Sequence, residues 1–331
     1  MQRRPLGESQ LQVTPVTLGT WAVGGWMWGG VDSEQAVRAI QSAIDLGITS
    51  IDTAPVYGFG LSEELVGQAV RGRRDQVQLL TKCGLSWDEP RGEFFFETTP
   101  RPKAKPLKVY RNSRKADVLA ECDRSLRRLG TDWIDLYQVH WRDNTTAVEE
   151  TMEAMDKLMQ SGKIRAVGVS NYTAEEIETA RTICPIASVQ PPYSMLKRDI
   201  EKDLLPYCRE HKVGVLAYSP LQLGILTGRV KMDQQFPPDD LRSGSPYYKP
   251  ANRRRILGFL DQLRPIAEEH NATLAQLVIA WTISQPGITA ALVGARKPEH
   301  AKENAAAADI QLAEGEIQHI TALLDELKLE V

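Results

Sequence analysis

The stretch GITSIDTAPVYGFGLSEELVGQAV, residues 47–70, decides the fold. Its first part, ITSIDTA, is a short β-like run that passes a polar residue, Asp52. Its second part has a helical pattern, which we predict over Ser62–Arg71. A strand followed directly by a helix is the repeating unit of a parallel sheet, in which helices connect neighbouring strands.

The same unit recurs along the chain. Eight short apolar runs are predicted to be strands, and they end at or near Thr20, Asp52, Lys82, His140, Ser170, Gln190, Tyr218 and Gly294. Helices are predicted between and after them, over Ser33–Leu46, Ser62–Arg71, Lys115–Leu129, Thr145–Gln160, Ala174–Thr182, Asp199–Glu210, Asn252–His270 and Thr273–Ser284. This alternation indicates a parallel sheet with helical crossovers.

The spacing of the strand ends favours a closed sheet. Five of the seven intervals between consecutive ends span 20 to 32 residues, and a (β/α)8 barrel of about 250 residues implies about 31 per unit. The two longer intervals contain insertions, Gly84–Arg114 and Gln222–Ala251, at the strand ends where barrel active sites lie. We therefore predict a single-domain (β/α)8 TIM barrel over residues 1–331, with long loops at the C-terminal face. The first twelve residues are predicted to form a hairpin that closes the bottom.

Composition limits the classes of function. The 331 residues are 42% hydrophobic and 25% charged, with a net charge of −3, which argues against a nucleic-acid-binding protein. No apolar run approaches the ~18 residues of a membrane span. The first residues, MQRRPLGES, lack the apolar core of a signal peptide. We expect a soluble, cytoplasmic protein without a nucleic-acid or membrane partner, and nothing indicates a partner protein.

Several kinds of site are disfavoured by the motifs. The four cysteines and five histidines are scattered without metal-ligand spacing, so we expect reduced thiols and no metal site. Neither the GxGxxG fingerprint nor GxxxxGK[ST] is present. A Rossmann-type dehydrogenase or a P-loop enzyme is therefore disfavoured, although other folds also bind dinucleotides.

Four residues of complementary chemistry meet at the predicted rim of the barrel. Asp52, Lys82 and His140 end three consecutive strands, and Tyr57 follows Asp52 on the loop TAPVYGFG. A lysine held charged by a carboxylate would lower the pKa of a neighbouring tyrosine, and a histidine could orient a carbonyl oxygen. Such a site suits carbonyl reduction with a hydride-donating cofactor. Each residue alone is more often structural, an ion pair or a core histidine, so the combination carries the prediction.

The motifs, in order along the chain, resemble those of the aldo-keto reductase superfamily from about Leu18 to about Leu312. Members of that family are (β/α)8 barrels that use NADPH, or less often NADH, without a metal. Asp52, Tyr57, Lys82 and His140 match the family's catalytic tetrad. The long loops resemble the bacterial general-stress branch and the potassium-channel β subunits. The matching segments are GTW, GITSIDTAPVYGFGLSEELVGQAV, LLTKCG, LRRLGTDWIDLYQVHW, GKIRAVGVSNY, VQPPYS, LAYSPLQLGILTGR and VGARKPEHAKENAAA.

The resemblance also implies where the cofactor binds. Ser170, Asn171 and Gln190 match residues that bind the nicotinamide carboxamide, and Tyr218 matches the aromatic ring that stacks on the nicotinamide. Arg296 is expected to hold the 2′-phosphate, in place of the Lys-Ser pair of short-loop members. The remaining implied cofactor positions are Thr20, Trp21, Asp52, Ser219, Pro220, Leu221, Gly224, Leu226, Arg229, Arg242, Gly294, His300, Glu303 and Asn304.

The sequence therefore predicts an NADPH-dependent reductase of small aldehydes, ketones or aldoses, with Tyr57 as the proton donor and with NADH as a weaker cofactor. The alternative is a cofactor-sensing regulatory or binding subunit on the same barrel. The first insertion carries Trp87 and the run Phe94-Phe95-Phe96. These aromatic residues either line the pocket or pack on the rim, and the sequence does not choose between the two.

Overall fold

The barrel predicted from the spacing is confirmed. A computed structural model describes residues 1–100 and 104–330. Eight strands form a closed barrel in which each strand pairs in parallel with the next and the last pairs with the first. They are β1 Val16–Gly19, β2 Ser50–Asp52, β3 Gln78–Cys83, β4 Ile134–Val139, β5 Ile164–Ser170, β6 Ile186–Gln190, β7 Gly214–Tyr218 and β8 Ala290–Gly294.

Helices surround the barrel, and all but one of the eight predicted helices are present as single elements. They are α1 Ser33–Asp45, α2 Leu61–Ala69, α3 Lys115–Leu129, α4 Val148–Gln160, α5 Ala174–Arg181, α6 Leu204–Glu210, α7 Pro250–Glu269, α8 Leu274–Ser284, α9 Pro298–Ala306 and α10 Glu314–Glu326. The helix predicted over Asp199–Glu210 is wrong as one element, because Pro206 has no N–H to donate to the Lys202 carbonyl and α6 begins only at Leu204. A 3-10 turn, Asp199–Glu201, precedes α6 instead. The last helix, α10, was not predicted.

Local sequence signals explain where several helices begin. The hydroxyls of Thr173 and Thr273 accept hydrogen bonds from backbone N–H groups three residues ahead, and Glu176 and Gln276 return the bond. Each such cap contributes about 1 kcal/mol to the stability of its helix. In α3 the helix ends at Gly130, whose φ of 63° is the left-handed conformation that glycine tolerates best.

The N-terminal hairpin closes the bottom of the barrel, as predicted. Arg4–Pro5 pairs antiparallel with Gln12–Val13. Leu6, Leu11 and Val13 are buried in one cluster with side chains that fill the inside of the barrel, among them Leu80, Leu136, Leu216 and Ala290. A second, larger cluster lies between the strands and the helices. The hairpin therefore extends the inner core rather than the helical layer.

The first insertion is built as a small sheet over the mouth of the barrel. Leu85–Ser86 and Glu93–Thr98 pair antiparallel with Leu107–Arg111, which is the middle strand. The second insertion contains three 3-10 turns, Gln222–Thr227, Leu241–Gly244 and Pro246–Tyr248. Both insertions therefore stand at the carboxyl ends of barrel strands, on the face where barrel sites are formed.

Within residues 1–100 and 104–330, none of the helices has the length and apolar character of a membrane span. Within the same ranges, no three side chains of the metal-ligating types cluster closely enough to hold an ion.

Candidate active site

The barrel brings three of the predicted tetrad residues into direct contact. The Lys82 ammonium donates to Asp52 Oδ1 at 2.5 Å and to the Tyr57 hydroxyl at 3.2 Å. It also donates to the Thr53 carbonyl at 3.0 Å. Lys82 is 0% exposed and Asp52 is 2% exposed. A buried ammonium with three oxygen partners is a fully satisfied charge, which its burial requires.

The fourth residue, His140, lies immediately beyond the end of β4. Its backbone N–H donates to the Cys83 carbonyl at 2.9 Å, which continues the pairing of β4 with β3. Its ring meets the ring of Tyr57 edge to face, with centroids 5.8 Å apart. Strand register therefore places Asp52, Lys82 and His140 around Tyr57, as the sequence predicted.

Tyr57 is held in place by a close approach of two loops. A Cβ on Gly24 would lie 2.5 Å from the backbone carbonyl of Tyr57, and a Cβ on Gly58 would lie 2.2 Å from the Gly24 carbonyl. Gly58 also has a φ of 68°. Only glycine allows both the contact and this backbone conformation. The loop that carries Tyr57 is thereby fixed against the loop that follows β1.

The expected lowering of the Tyr57 pKa is wrong. Burial raises the pKa of Tyr57 well above its usual value of 10, and the negative charge of Asp52 raises it further. Burial also lowers the pKa of Lys82, although Asp52 opposes this shift. Tyr57 is therefore a protonated phenol at neutral pH, and Lys82 is positioned to stabilise its oxygen once the proton leaves.

His140 is neutral for a physical reason. Burial, and then the positive charge of Lys82, lower the pKa of His140 well below its usual 6.5. A neutral imidazole carries one N–H, which can donate to a carbonyl oxygen. The charge of the tetrad is thus confined to the Asp52–Lys82 pair.

The tetrad opens onto a cavity of about 510 Å³ at the C-terminal face. All but two of the predicted site residues line this cavity. Lys82 is enclosed behind Tyr57, and Leu226 is 0% exposed in the core between strands and helices. The cavity residues that were predicted are Thr20, Trp21, Asp52, Tyr57, His140, Ser170, Asn171, Gln190, Tyr218, Ser219, Pro220, Leu221, Gly224, Arg229, Arg242, Gly294, Arg296, His300, Glu303 and Asn304.

Residues 15–325 match the sequence model of a protein family that is described as "Aldo/keto reductase family". The chain belongs to the aldo/keto reductase family. It is an NAD(P)H-dependent oxidoreductase that acts on carbonyl groups. This conclusion confirms the enzyme class and the family predicted from the motifs.

Known proteins of this family are similar to this enzyme over nearly its whole length, and three of them are described next. The NADH-specific methylglyoxal reductase of Escherichia coli is 34% identical, with 99% of this chain and 100% of that protein covered. The structure of a glycerol dehydrogenase from Gluconobacter oxydans is 40% identical, with a TM-score of 0.88 and coverage of 98% and 95%. A Klebsiella pneumoniae aldo/keto reductase in complex with NADP and acetate is 33% identical, with a TM-score of 0.72 and coverage of 98% and 96%.

The cavity of this reductase has hydrogen-bonding capacity that the protein does not use. The indole N–H groups of Trp21 and Trp28 are buried and have no partner among the described residues. Among the described residues, no group donates to Gln190 Oε1, whereas Gln190 Nε2 donates to Asp52 Oδ2 at 2.9 Å. Both indole rings line the cavity, so their N–H groups are positioned to donate to a ligand bound there. These residues fit a bound nicotinamide cofactor.

Two loops that border the cavity are strained in the way ligand loops often are. Asn171, Ser219 and Leu223 have φ values of 60°, 57° and 56°, which residues other than glycine rarely adopt. Asn171 Nδ2 donates to the His140 carbonyl at 3.1 Å, and its Oδ1 accepts from Tyr218 at 3.0 Å. The Tyr218 ring is thereby fixed at the cavity wall.

The three arginines of the cavity differ in their partners. Arg229 pairs with Glu303 at 2.6 Å, and Arg242 pairs with Asp240 at 2.6 Å. Arg296 has no acidic partner within the described ranges. Its Nη1 donates to the carbonyls of Trp28, at 3.0 Å, and Gly30, at 3.5 Å. Its remaining N–H groups are thus available to an anionic ligand.

One residue beside the tetrad, Gln138, was not predicted from the sequence. Gln138 Nε2 donates to Asp52 Oδ2 at 3.2 Å, and Gln138 Oε1 accepts from Gln190 at 3.1 Å. A signal for it was present, because Gln138 lies two positions before His140 and alternate residues of an extended chain share a face. The amides of Gln138 and Gln190 thus fix the carboxylate that pairs with Lys82.

We expect His140→Ala to lower kcat/KM for aldehydes by about 10²-fold, because one donor to the carbonyl oxygen is lost. The Kd for NADPH should be unchanged, since the ring is not needed to hold the cofactor. Steady-state kinetics and fluorescence titration measure the two effects. His140→Asn retains an N–H donor and should recover part of the rate. A variant that unfolds at ordinary temperature would instead identify His140 as a core residue.

Proposed function

We propose that this enzyme reduces small aldehydes, ketones or aldoses to alcohols with NADPH, and that Tyr57 is the proton donor. The observation that carries the proposal is the contact of the Lys82 ammonium with Tyr57 OH, 3.2 Å away, at the floor of the cavity. Tyr57 holds its proton at neutral pH, and a cation stands beside the oxygen that would become negative.

Each tetrad residue has a distinct part in this proposal. When bound, the nicotinamide supplies a hydride to the carbonyl carbon. Tyr57 gives its proton to the carbonyl oxygen, and Lys82 stabilises the resulting phenolate by charge and hydrogen bonding. Asp52 keeps Lys82 charged in spite of burial. Neutral His140 donates to the same carbonyl oxygen and orients it.

We propose residues for the cofactor in the same way. Ser170, Asn171 and Gln190 would hold the carboxamide, and the Tyr218 ring would stack on the nicotinamide. Gly294 and Asn304 lie at the adenosine end, where Asn304 Nδ2 donates to the Gly294 carbonyl at 3.1 Å. The side chain of Leu226 is left out of this set, because it is buried in the core.

The preference for NADPH is proposed from Arg296. A similar E. coli protein is NADH-specific and a Klebsiella relative binds NADP, so family membership alone does not decide the preference. Arg296 is the cavity arginine without an acidic partner in the part of the chain that the structure describes. A guanidinium holds phosphate through paired hydrogen bonds, whereas a ribose hydroxyl gains little from it.

We expect Arg296→Ala to weaken NADPH binding by about ten- to a hundredfold, since a charge-assisted hydrogen bond contributes about 1.5–3 kcal/mol. The affinity for NADH should change little, and the wild-type preference should shrink as salt rises. Titration of protein fluorescence with both cofactors measures this. Lys297→Ala, a neighbouring exposed cation outside the cavity, is the matched control. If the variant binds both cofactors more weakly by the same factor, or binds both as the wild type does, Arg296 does not hold the 2′-phosphate.

The experiment that tests the proposed function is NADPH oxidation by the purified protein with a panel of carbonyl compounds, including 4-nitrobenzaldehyde. Turnover that requires both NADPH and the carbonyl compound supports a reductase. Tight NADPH binding without turnover across the whole panel would favour the cofactor-sensing subunit instead.

A further inference from the structure

The first insertion supplies a wall of the cavity that the tetrad does not explain. Trp26, Phe95, Phe96 and Trp141 all line the cavity and form one chain of ring contacts, the aromatic wall. The ring centroids lie 5.8 Å apart for Trp26 and Phe96, 5.0 Å for Phe96 and Phe95, and 5.3 Å for Phe95 and Trp141. Trp141 directly follows His140, so the wall begins beside the tetrad.

A β-bulge turns two consecutive phenylalanines toward the cavity. In the insertion sheet, Phe94 pairs with Tyr110 and Phe96 pairs with Val109, so Phe95 is an extra residue on its strand. Without the bulge, Phe94 and Phe96 would share one face. With it, Phe95 and Phe96 both line the cavity, while Phe94 lies outside it and is 54% exposed. A bulge that re-aims side chains beside an active site is a recurrent device.

The wall is fixed by polar contacts on its outer side. Trp26 Nε1 donates to Thr98 Oγ1 at 2.9 Å, which ties the loop after β1 to the insertion sheet. The Arg111 guanidinium lies over the Phe95 ring at 4.1 Å and over the Trp141 ring at 5.4 Å. Arg111 does not line the cavity. The guanidinium therefore packs against the rings of the wall, and its charge does not face a ligand in the cavity.

The charged groups of the cavity lie elsewhere. Arg229 pairs with Glu303, Arg242 pairs with Asp240, and Arg296 binds the backbone at Trp28 and Gly30. Among the described residues, none of these cations contacts a member of the aromatic wall. An anionic group placed against the wall would lose its hydration and would meet the negative faces of the rings without gaining a partner. A flat apolar group would gain ring contacts instead.

We propose that the aromatic wall selects carbonyl compounds that carry an aromatic ring or a similar planar apolar group over anionic ones, and that Phe95 and Phe96 are specificity-determining residues. This inference rests on the proposed carbonyl reduction at Tyr57 and narrows its substrates. The carbonyl oxygen is oriented by Tyr57 and His140, and the ring attached to the carbonyl carbon packs on Phe95 and Phe96.

The test compares kcat/KM for benzaldehyde, 4-formylbenzoate and propanal at saturating NADPH. In Phe95→Ala and Phe96→Ala, we expect kcat/KM for benzaldehyde to fall about tenfold, mainly through a higher KM, because a ring–ring contact is lost. Propanal should change by less than about threefold. Phe94→Ala removes a ring from the same strand but not from the cavity, and should change neither. In the wild type, kcat/KM should be about tenfold lower for 4-formylbenzoate than for benzaldehyde.

Two controls keep the test decisive. Phe95→Leu and Phe96→Leu preserve apolar volume where the alanine variants fail to fold, and they should show the same selective loss in smaller degree. An unchanged Kd for NADPH shows that the cofactor site is intact. Equal losses for benzaldehyde and propanal, or wild-type kinetics in the Phe95 and Phe96 variants, would overturn the specificity inference while Tyr57-dependent turnover still upheld the proposed function. Absence of turnover with every carbonyl compound would overturn both.

Discussion

Replacing Tyr57 by phenylalanine is expected to lower kcat for carbonyl reduction by about 10²–10⁴-fold, the usual contribution of a positioned proton donor. The ring remains to fill the floor of the cavity, so the loss is one of chemistry and not of packing. The Kd for NADPH should stay near its wild-type value. Single-turnover kinetics with saturating cofactor, together with fluorescence titration, measure the two quantities separately.

The structure offers a matched control for the loss of the Tyr57 hydroxyl. Tyr137 lies on β4, is 0% exposed, and its hydroxyl has no hydrogen-bond partner among the residues described. Tyr137→Phe therefore removes the same atom from the same barrel without touching the cavity, and kcat should be unchanged. Near-normal reduction by Tyr57→Phe would mean that another group supplies the proton.

Replacing Lys82 by methionine should lower kcat by about 10²–10³-fold, because a preorganised donor to the developing phenolate is removed. Methionine keeps an unbranched chain of similar length, which limits the packing change. It leaves the buried Asp52 carboxylate without its cation, so the thermal midpoint of unfolding should be measured beside the rate. A folded variant with the wild-type kcat would show that Lys82 has no part in the mechanism.

The pH dependence of kcat/KM distinguishes the parts of Tyr57 and Lys82. Burial raises the pKa of Tyr57 and lowers the pKa of Lys82. As pH rises, the first group to lose its proton is therefore Lys82, and the rate of reduction should fall through that lowered pKa. Lys82→Met should lack this basic limb. If Lys82→Met keeps a basic limb at the same pH as the wild type, that limb arises from a different group.

Much of the fold and of the tetrad could be predicted because strand ends are marked in the sequence. Each barrel strand is a short apolar run that stops at or beside a polar or glycine residue, and parallel strands bring such ends to one rim. The positions of Asp52, Lys82 and His140 follow from that rule alone. Gln138 lies two positions before His140, and the alternation of side chains along an extended chain could have identified it.

Other features depend on contacts between distant segments, which a single sequence does not record. The bulge at Phe95 is set by pairing with Leu107–Arg111, so the choice between pocket and rim could not be made from the run of three phenylalanines. The pKa of Tyr57 depends mainly on how completely the loops bury it, and the neighbouring Lys82 charge does not reveal that burial. The contact of Arg296 with the Trp28 carbonyl joins residues 268 positions apart.

Transfer of deuterium tests the central claim most directly. NADPH labelled with deuterium at the transferring position of the nicotinamide is incubated with the purified enzyme and benzaldehyde, and the alcohol is analysed by mass spectrometry. Carbonyl reduction in this cavity predicts benzyl alcohol with one deuterium on the former carbonyl carbon, formed by the wild type and at a rate lower by about 10²-fold or more by Tyr57→Phe. NADPH that binds tightly to the wild type while no labelled alcohol forms would contradict the account.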